Sequence, residues 1–438
     1  MLVQFSVRNF KTFKEEVKLT MFASNYDKST REQENVMEVP KFGLRLLKSA
    51  VIYGANASGK TKLIDAVHFM KDFALNSSKE SQQGEPIETE PFRLNTVTAS
   101  EPSMLEIVFI HENEMYRYGF EVTPEAVVSE WLYHRPHTKE VEIFFREGQN
   151  FTVHPKAFKK GKFLVSENMI RSNALMLSVA AQFNDKYAKG VLTWLYKFRQ
   201  ISGLDETGYM GYSMSRVEDS KKKFLSLLKE ADIGIEDISI SKMDSTNLPD
   251  DIPDEVKEII KKKMDEEKAT FFGDFKTAHT RFDENNLPVG IEEFRMEDEE
   301  SSGTRKFFAI SGPILRALED GEVLFIDEID SKIHPNLVCK LIGLFNSVWT
   351  NPKNAQLIFN THDTNLLSSN LFRRDQIWFV EKDRFGAASL YSLSAFKTDE
   401  GGRKTDNFEE NYLQGRYGGV PLLGDFSRIF QSESGVAK

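Results

Sequence analysis

Gly54-Ala55-Asn56-Ala57-Ser58-Gly59-Lys60-Thr61 spaces two glycines, a lysine and a hydroxyl in the pattern G-x-x-x-x-G-K-[ST]. Glycines at these places let the backbone curl until successive N–H groups, from Gly54 through Gly59, converge on phosphate oxygens. A helix that begins at the loop adds the positive end of its dipole. In such a cradle Lys60 supplies a cation to the β- and γ-phosphates and Thr61 a hydroxyl to Mg²⁺. The chemistry expected of this segment is the binding of ATP.

A second segment, Val323-Leu324-Phe325-Ile326-Asp327-Glu328, places two carboxylates directly after an apolar run. Such a run predicts a buried strand, and ligands of open parallel sheets bind at the C-terminal ends of their strands. Asp327 is expected to hold Mg²⁺ through water, and Glu328 to orient or deprotonate the attacking water. The pair is far from the loop in sequence, so a whole insertion must fit between them without breaking the sheet.

The elements that must position these groups are legible as patterns. Residues 49–53 form a short apolar strand before the loop, and a helix is expected from about 61 to 75. Val3, Phe5 and Val7 alternate with polar residues, and Leu105, Ile107 and Phe109, then Tyr116, Tyr118, Phe120 and Val122, recur at every second position. Further strands are expected near 127–134 and 141–154. Residues 166–270 read as helical, with apolar spacing from 173 to 199, a helix at 217–231 and a charged one at 255–268. From 300 onward a helix (304–319), the strand at 323–326, a helix after Pro335, a strand at 356–361 and strands at 376–381 and 388–393 follow. The fold class expected is α/β: a largely parallel sheet covered by helices, with an antiparallel β lobe and a helical insertion. The expected divisions are 1–155, the first half of a head with the loop and the β lobe; 156–290, mostly helical; 291–398, the second half of the head; and 399–438, an irregular tail.

Composition excludes several classes. Hydrophobic residues make up 40% of the 438 and charged residues 28%, ordinary for a globular protein, and 35 phenylalanines argue for packed interiors. Cys339 is the sole cysteine, so neither an intrachain disulfide nor a cysteine zinc site can form. A net charge of −10 argues against a surface basic throughout, though lysines cluster at 156–162, 221–223 and 261–263. No apolar run reaches the ~18 residues of a membrane span, and the N-terminus reads as a strand and not as a leader, so a cytoplasmic location is expected.

The form Asn-x-Ser-Gly-Lys at 56–60 resembles the ABC-type ATPases of the SMC, RecF and OLD branch, whose heads dimerise around ATP. Glu300-Ser301-Ser302-Gly303-Thr304 stands where that class carries its L-S-G-G signature loop, without the leucine and the first glycine. The resemblance implies that Ser301 and Gly303 contact the γ-phosphate held by the opposite protomer. It implies that Asp330, within 329–335, belongs to a dimer-contacting loop beside the nucleotide, and that His362, within 358–363, is a switch histidine sensing the γ-phosphate. A second Mg²⁺ contact stays open among Gln82, Gln83 and Arg93.

A wider likeness rests on Asn9-Phe10-Lys11-Thr12-Phe13, the segments 300–304, 326–335 and 360–363, Asp375-Gln376-Ile377-Trp378-Phe379, and Tyr412-Leu413-Gln414-Gly415-Arg416-Tyr417-Gly418-Gly419-Val420-Pro421. Together these resemble the AAA-type ATP-binding proteins of the RloA and AbiLi kind, related to the AriA subunit of PARIS, which serve bacterial anti-phage, abortive-infection systems. The resemblance implies an ATPase that pairs with itself, answers a phage trigger and controls a separate effector, a nuclease or toxin. No strand-borne acidic pair follows residue 400 and no long heptad run occurs, so neither an OLD-type nuclease domain nor an SMC-type coiled coil is expected. The 412–421 motif reads as a stiff turn displaying Tyr412, Arg416 and Tyr417, either as interface anchors or as a plug against the sheet. Two other functions compete: a RecF-like ATPase clamping DNA, with strongly salt-dependent affinity, and a scaffold that binds ATP without hydrolysing it.

Overall fold

Apolar residues recur at every second position in many strands of the first 153 residues, and seven of these strands join into an antiparallel sheet. In the computed structural model its seven strands run in the order Asn150–Val153, Val141–Glu147, Val127–Arg135, Glu114–Val122, Ser103–His111, Leu2–Arg8, Val17–Thr20. Register sets Leu19, Phe5, Ile107, Tyr118, Leu132 and Phe144 side by side across six strands, and all six are buried. The structure describes residues 1–79, 82–203, 207–243, 253–267, 271–368, 370–396, 407–421 and 423–426.

The chain divides into two compact units, Leu2–Tyr196 with Asn360–Lys438, and Lys197–Phe359 with Met1. The first holds the antiparallel sheet and a layer of parallel strands. In that layer Ser49–Tyr53, buried throughout, pairs in parallel with Ile377–Lys382, which in turn pairs antiparallel with Ala388–Ser392. Helix Lys60–Asn76 follows the loop; its Phe69 and Phe73 meet Phe120 of the antiparallel sheet edge-on at 6.3 and 5.5 Å.

Residues 156–196 belong to this first unit, and do not start a separate insertion at 156. The reason is polar as well as apolar. Fully buried Glu130 accepts the backbone N–H groups of Met176 and Leu177, at the start of helix Met176–Gln182, and the hydroxyl of Tyr118. Burial pushes its carboxyl up, and Arg146 opposes the shift. Arg146, also buried, donates to the carbonyl of Ala174. Trp194 stacks on Phe109 at 4.0 Å. The helical spacing over 173–199 is realised as two helices because Asp185 accepts the N–H groups of Tyr187 and Ala188 and starts Lys186–Lys197 afresh.

The second unit stacks Arg199–Ser202, Val323–Asp327 and Gln356–Asn360 in parallel, with Val323–Asp327 in the middle. Helices Thr207–Glu230 and Ser302–Asp320 pack together beside them. Pro313, inside the second helix, has no N–H for the carbonyl of Ala309. The Ser213 hydroxyl donates to that carbonyl at 2.7 Å and accepts the N–H of Gly312, so the proline is accommodated. The stretch 156–290, expected as mostly helical, also carries an antiparallel three-stranded sheet, Asp237–Lys242, Phe272–Phe282 and Pro288–Arg295. Its alternation is brief: in the middle strand only Phe275 and Thr277 are buried, amid charged and exposed neighbours. Helix Phe408–Leu413 stands in the tail expected to be irregular, while 399–406, 422 and 427–438 lie outside the described residues. Among the described residues no helix is long and apolar enough to cross a membrane.

Candidate functional site

In the first unit the loop leaves strand Ser49–Tyr53 at Gly54, where no side chain fits: a Cβ would lie 2.4 Å from the carbonyl oxygen of Val380 and 2.5 Å from Ser58 Oγ. Ala57 takes the left-handed conformation at φ 60° and Gly59 sits at φ 119°, where a Cβ would meet Thr12 Oγ1 at 2.8 Å. These turns wind the chain around Lys60, which is buried and donates through Nζ to the carbonyls of Gly54 (2.8 Å) and Ala55 (3.2 Å). Asn56 and Ala57 are exposed at the rim, and Thr61 is half-buried in the first turn of the helix. The Ser58 hydroxyl is buried without a hydrogen-bond partner among the described residues. A curled loop, a buried ammonium group, an orphaned hydroxyl and a helix N-terminus are the donor set a triphosphate needs.

The same unit carries His362. The N–H of Thr361 donates to the carbonyl of Ile52 at 3.4 Å, and the Tyr53 hydroxyl to the carbonyl of Asp363 at 3.0 Å. The segment around His362 is thus held against the strand that feeds the loop, with the imidazole exposed. The 412–421 motif is here as well, and its tyrosines are buried, not displayed. Tyr412 packs between Tyr53 and Phe379 with ring centroids at 5.5 and 5.4 Å, and Tyr417 lies 5.7 Å from Phe379. Burial pushes the Tyr412 hydroxyl up to about 12, and that hydroxyl donates to the Gly419 carbonyl at 3.1 Å. Leu413 and Arg416 face solvent. Gln82, Gln83 and Arg93 are exposed, and the Gln82 carbonyl is taken by Asn173.

The second unit carries the acids. Val323–Asp327 is buried along its length. Asp327 ends it, and Glu328 turns the chain with a left-handed φ of 53°. The turn is closed by the N–H of Ser331, which donates to the Glu328 carbonyl, and by that of Ile333, which donates to Asp330. Gly203 supports it from the neighbouring strand. Its N–H donates to the Asp327 carbonyl at 2.5 Å, and a Cβ there would lie 2.0 Å from the Glu328 oxygen. His334 then caps helix Pro335–Asn346 through Nδ1, with Pro335 in its first position.

Also in this unit, Ser301 is the N-cap of helix Ser302–Asp320: its hydroxyl accepts the N–H of Thr304 at 3.0 Å. Gly303 abuts the acidic turn, since a Cβ there would stand 3.0 Å from the Lys332 carbonyl. Glu300 is held by the Thr277 hydroxyl and by His279 Nε2 at 2.7 Å, so the three-stranded sheet anchors the segment at its base. Ser301, Gly303, Asp327, Glu328 and Asp330 therefore share one unit, and residues 54–61 and His362 share the other. Sequence reasoning missed Gly203, whose Ser202-Gly203 step carries no motif.

A family model described as "AAA domain, putative AbiEii toxin, Type IV TA system" matches residues 49–178 and 193–368, roughly seven-tenths of the chain. The chain belongs to this AAA-domain family. The matched spans contain every candidate residue from Gly54 to His362, and membership places the protein among nucleotide-binding ATPases. The match is interrupted at residues 179–192, and the 412–421 motif lies beyond it. No curated protein matches the chain. Among solved structures, the SMC head domain from Thermotoga maritima aligns at 13% identity with a TM-score of 0.41, covering 89% of this chain and 98% of that one. The Smc head domain with an extended coiled coil bound to the C-terminal domain of ScpA, from Pyrococcus furiosus, aligns at 12% identity with a TM-score of 0.35, covering 89% and 96%.

Proposed function

We propose that this AAA-domain protein binds and hydrolyses ATP in a self-paired state and serves as the sensor ATPase of an anti-phage system of the RloA, AbiLi and AriA kind, controlling a separate effector. The observation that carries the ATP reading is the loop itself: Lys60 buried inside a curl of backbone, beside an orphaned Ser58 hydroxyl and the start of a helix. Lys60 would leave the Gly54 and Ala55 carbonyls for the β- and γ-phosphates. Thr61 and Asp327 would hold Mg²⁺, which when bound neutralises charge between those phosphates. Glu328 would take the proton of the attacking water, and His362 would report the γ-phosphate through a hydrogen bond. Ser301 and Gly303, with the Asp330 loop behind them, would meet the nucleotide of the opposite protomer.

Two measurements test this reading. Lys60→Ala is expected to lower ATP affinity about tenfold to a hundredfold in calorimetry, the range for a lost charge-assisted hydrogen bond; unchanged affinity would contradict its role. Ser301 already works as a cap, so its two roles must be separated. Ser301→Ala is expected to cost about 1 kcal/mol of stability. Ser301→Asp keeps a good cap and sets a negative charge against phosphate, so its melting temperature holds while phosphate release falls. Wild-type release by Ser301→Asp would leave Ser301 a cap alone. Copurification of the neighbouring gene's product, a nuclease or toxin, is the result expected of the defence reading.

A further inference from the structure

An open groove of about 990 Å³ lies among the helices of the second unit, and its floor is apolar: Leu227, Leu315, Leu318, Leu341 and Trp349. These residues come from helices Thr207–Glu230, Ser302–Asp320 and Pro335–Asn346 and from the segment that follows the last. Trp349 is 90% exposed. The rim is basic. Lys222, Lys340 and Lys353 stand exposed on it, with no ion pair among the described residues. Of the three acids there, Glu319 is taken by Arg216 and Lys223 and Asp320 by Arg316, which leaves Glu230.

The same unit carries a surface of matching chemistry. The hairpin of Phe272–Phe282 and Pro288–Arg295 buries Phe275 and Thr277 on one face. Successive strand residues point to opposite faces, so Thr280 and Phe282 lie on the other. Register sets Ile291 opposite Thr280, and Val289, two residues before it, shares its side. Phe282, Val289 and Ile291, with Leu287 beside the turn, are each more than half exposed. Four apolar side chains thus meet solvent at one tip, three of them on or next to an edge strand. The tip is acidic as well. Arg281 pairs with Glu292 and Lys276 with Glu293, while Asp283 and Glu284 have no cation against them among the described residues.

We infer that the hairpin tip of one copy of this chain seats in the helical groove of a second copy. An exposed apolar edge strand invites association, and the surface it fits is on the chain itself: apolar against apolar, acids against lysines. Within one copy both surfaces stay open, as the exposure of Trp349 and of Ile291 shows. A knob and a groove at different places make a head-to-tail contact, which closes either as a pair exchanging both tips or as a ring. Residues 54–61, 301–303, 327–330 and 362 take no part. The contact therefore needs no nucleotide and stands apart from the ATP reading.

The experiment measures self-association of the full chain by sedimentation equilibrium, with nucleotide absent and magnesium chelated. Wild type is expected to associate, less so as salt is raised. Ile291→Glu, on the tip, and Trp349→Glu, on the groove, are each expected to weaken association at least about tenfold, the effect of losing one anchoring apolar side chain. Both positions are exposed, so melting temperatures should hold. Mixed in equal amounts, the two variants are expected to recover a complex, because the intact groove of the first accepts the intact tip of the second. A monomeric wild type overturns the inference, and so does wild-type association by either variant. A mixture that stays dissociated overturns it too, since tip and groove would then not face each other. ATP binding, measured separately, decides the nucleotide reading whichever way these results fall.

Discussion

Glu328→Gln is expected to slow phosphate release at saturating ATP and Mg²⁺ by at least about a hundredfold, the usual worth of a general base, while ATP affinity stays at the wild-type value. Glutamine matches glutamate in size and still accepts a hydrogen bond, but it cannot take a proton from water. Backbone hydrogen bonds hold the turn that carries the residue: Ser331 donates to the Glu328 carbonyl and Gly203 to that of Asp327. The substitution leaves those backbone bonds around φ 53° at position 328 in place. A non-glycine residue there costs about 1–2 kcal/mol, and backbone strain of this kind clusters at functional sites. Equal, slow release by wild type and variant would instead favour the non-hydrolysing scaffold.

Patterns of one element's length were readable in the sequence, and contacts between distant segments were not. The loop and its helix follow from residues 54–61 because glycine spacing, a lysine and a preceding apolar strand are all local. The acidic strand follows from four apolar residues and two acids for the same reason. The antiparallel sheet announced itself through the runs that place Phe5, Ile107 and Tyr118 at every second position among other apolar residues. The three-stranded sheet did not, because His279 and Thr277 serve Glu300 and its exposed strand is charged. The place of 156–196 was hidden for a related reason: it is decided by Glu130 and Arg146, whose charges suggest a surface and whose burial shows a structural anchor. Tyr412 was legible as a residue of interest, yet its hydroxyl's partner is the backbone carbonyl of Gly419, which no side-chain pattern records.

Gly203→Ala is expected to do nearly as much damage to hydrolysis as loss of Glu328, though residue 203 offers no chemistry of its own. The new Cβ would stand 2.0 Å from the Glu328 carbonyl oxygen and 2.5 Å from that of Asp327. Both obstacles are backbone, so no rotamer relieves the clash. Either strand Arg199–Ser202 moves away from Val323–Asp327, giving up the Gly203 N–H bond to Asp327, or the Asp327–Glu328 peptide rotates. Overpacking of this sort costs about 1–3 kcal/mol. A displacement of about 1 Å at groups that align a reaction can cost about a hundredfold in rate. ATP affinity should fall far less, because residues 54–61 are held by contacts within their own unit. Gly343→Ala is the matched control: Gly343 lies in helix Pro335–Asn346 with open space where a Cβ would go, so the variant is expected to melt at or above wild type and to release phosphate normally. Normal release by Gly203→Ala would mean that the turn tolerates displacement, and that Asp327 and Glu328 do not act through the geometry described.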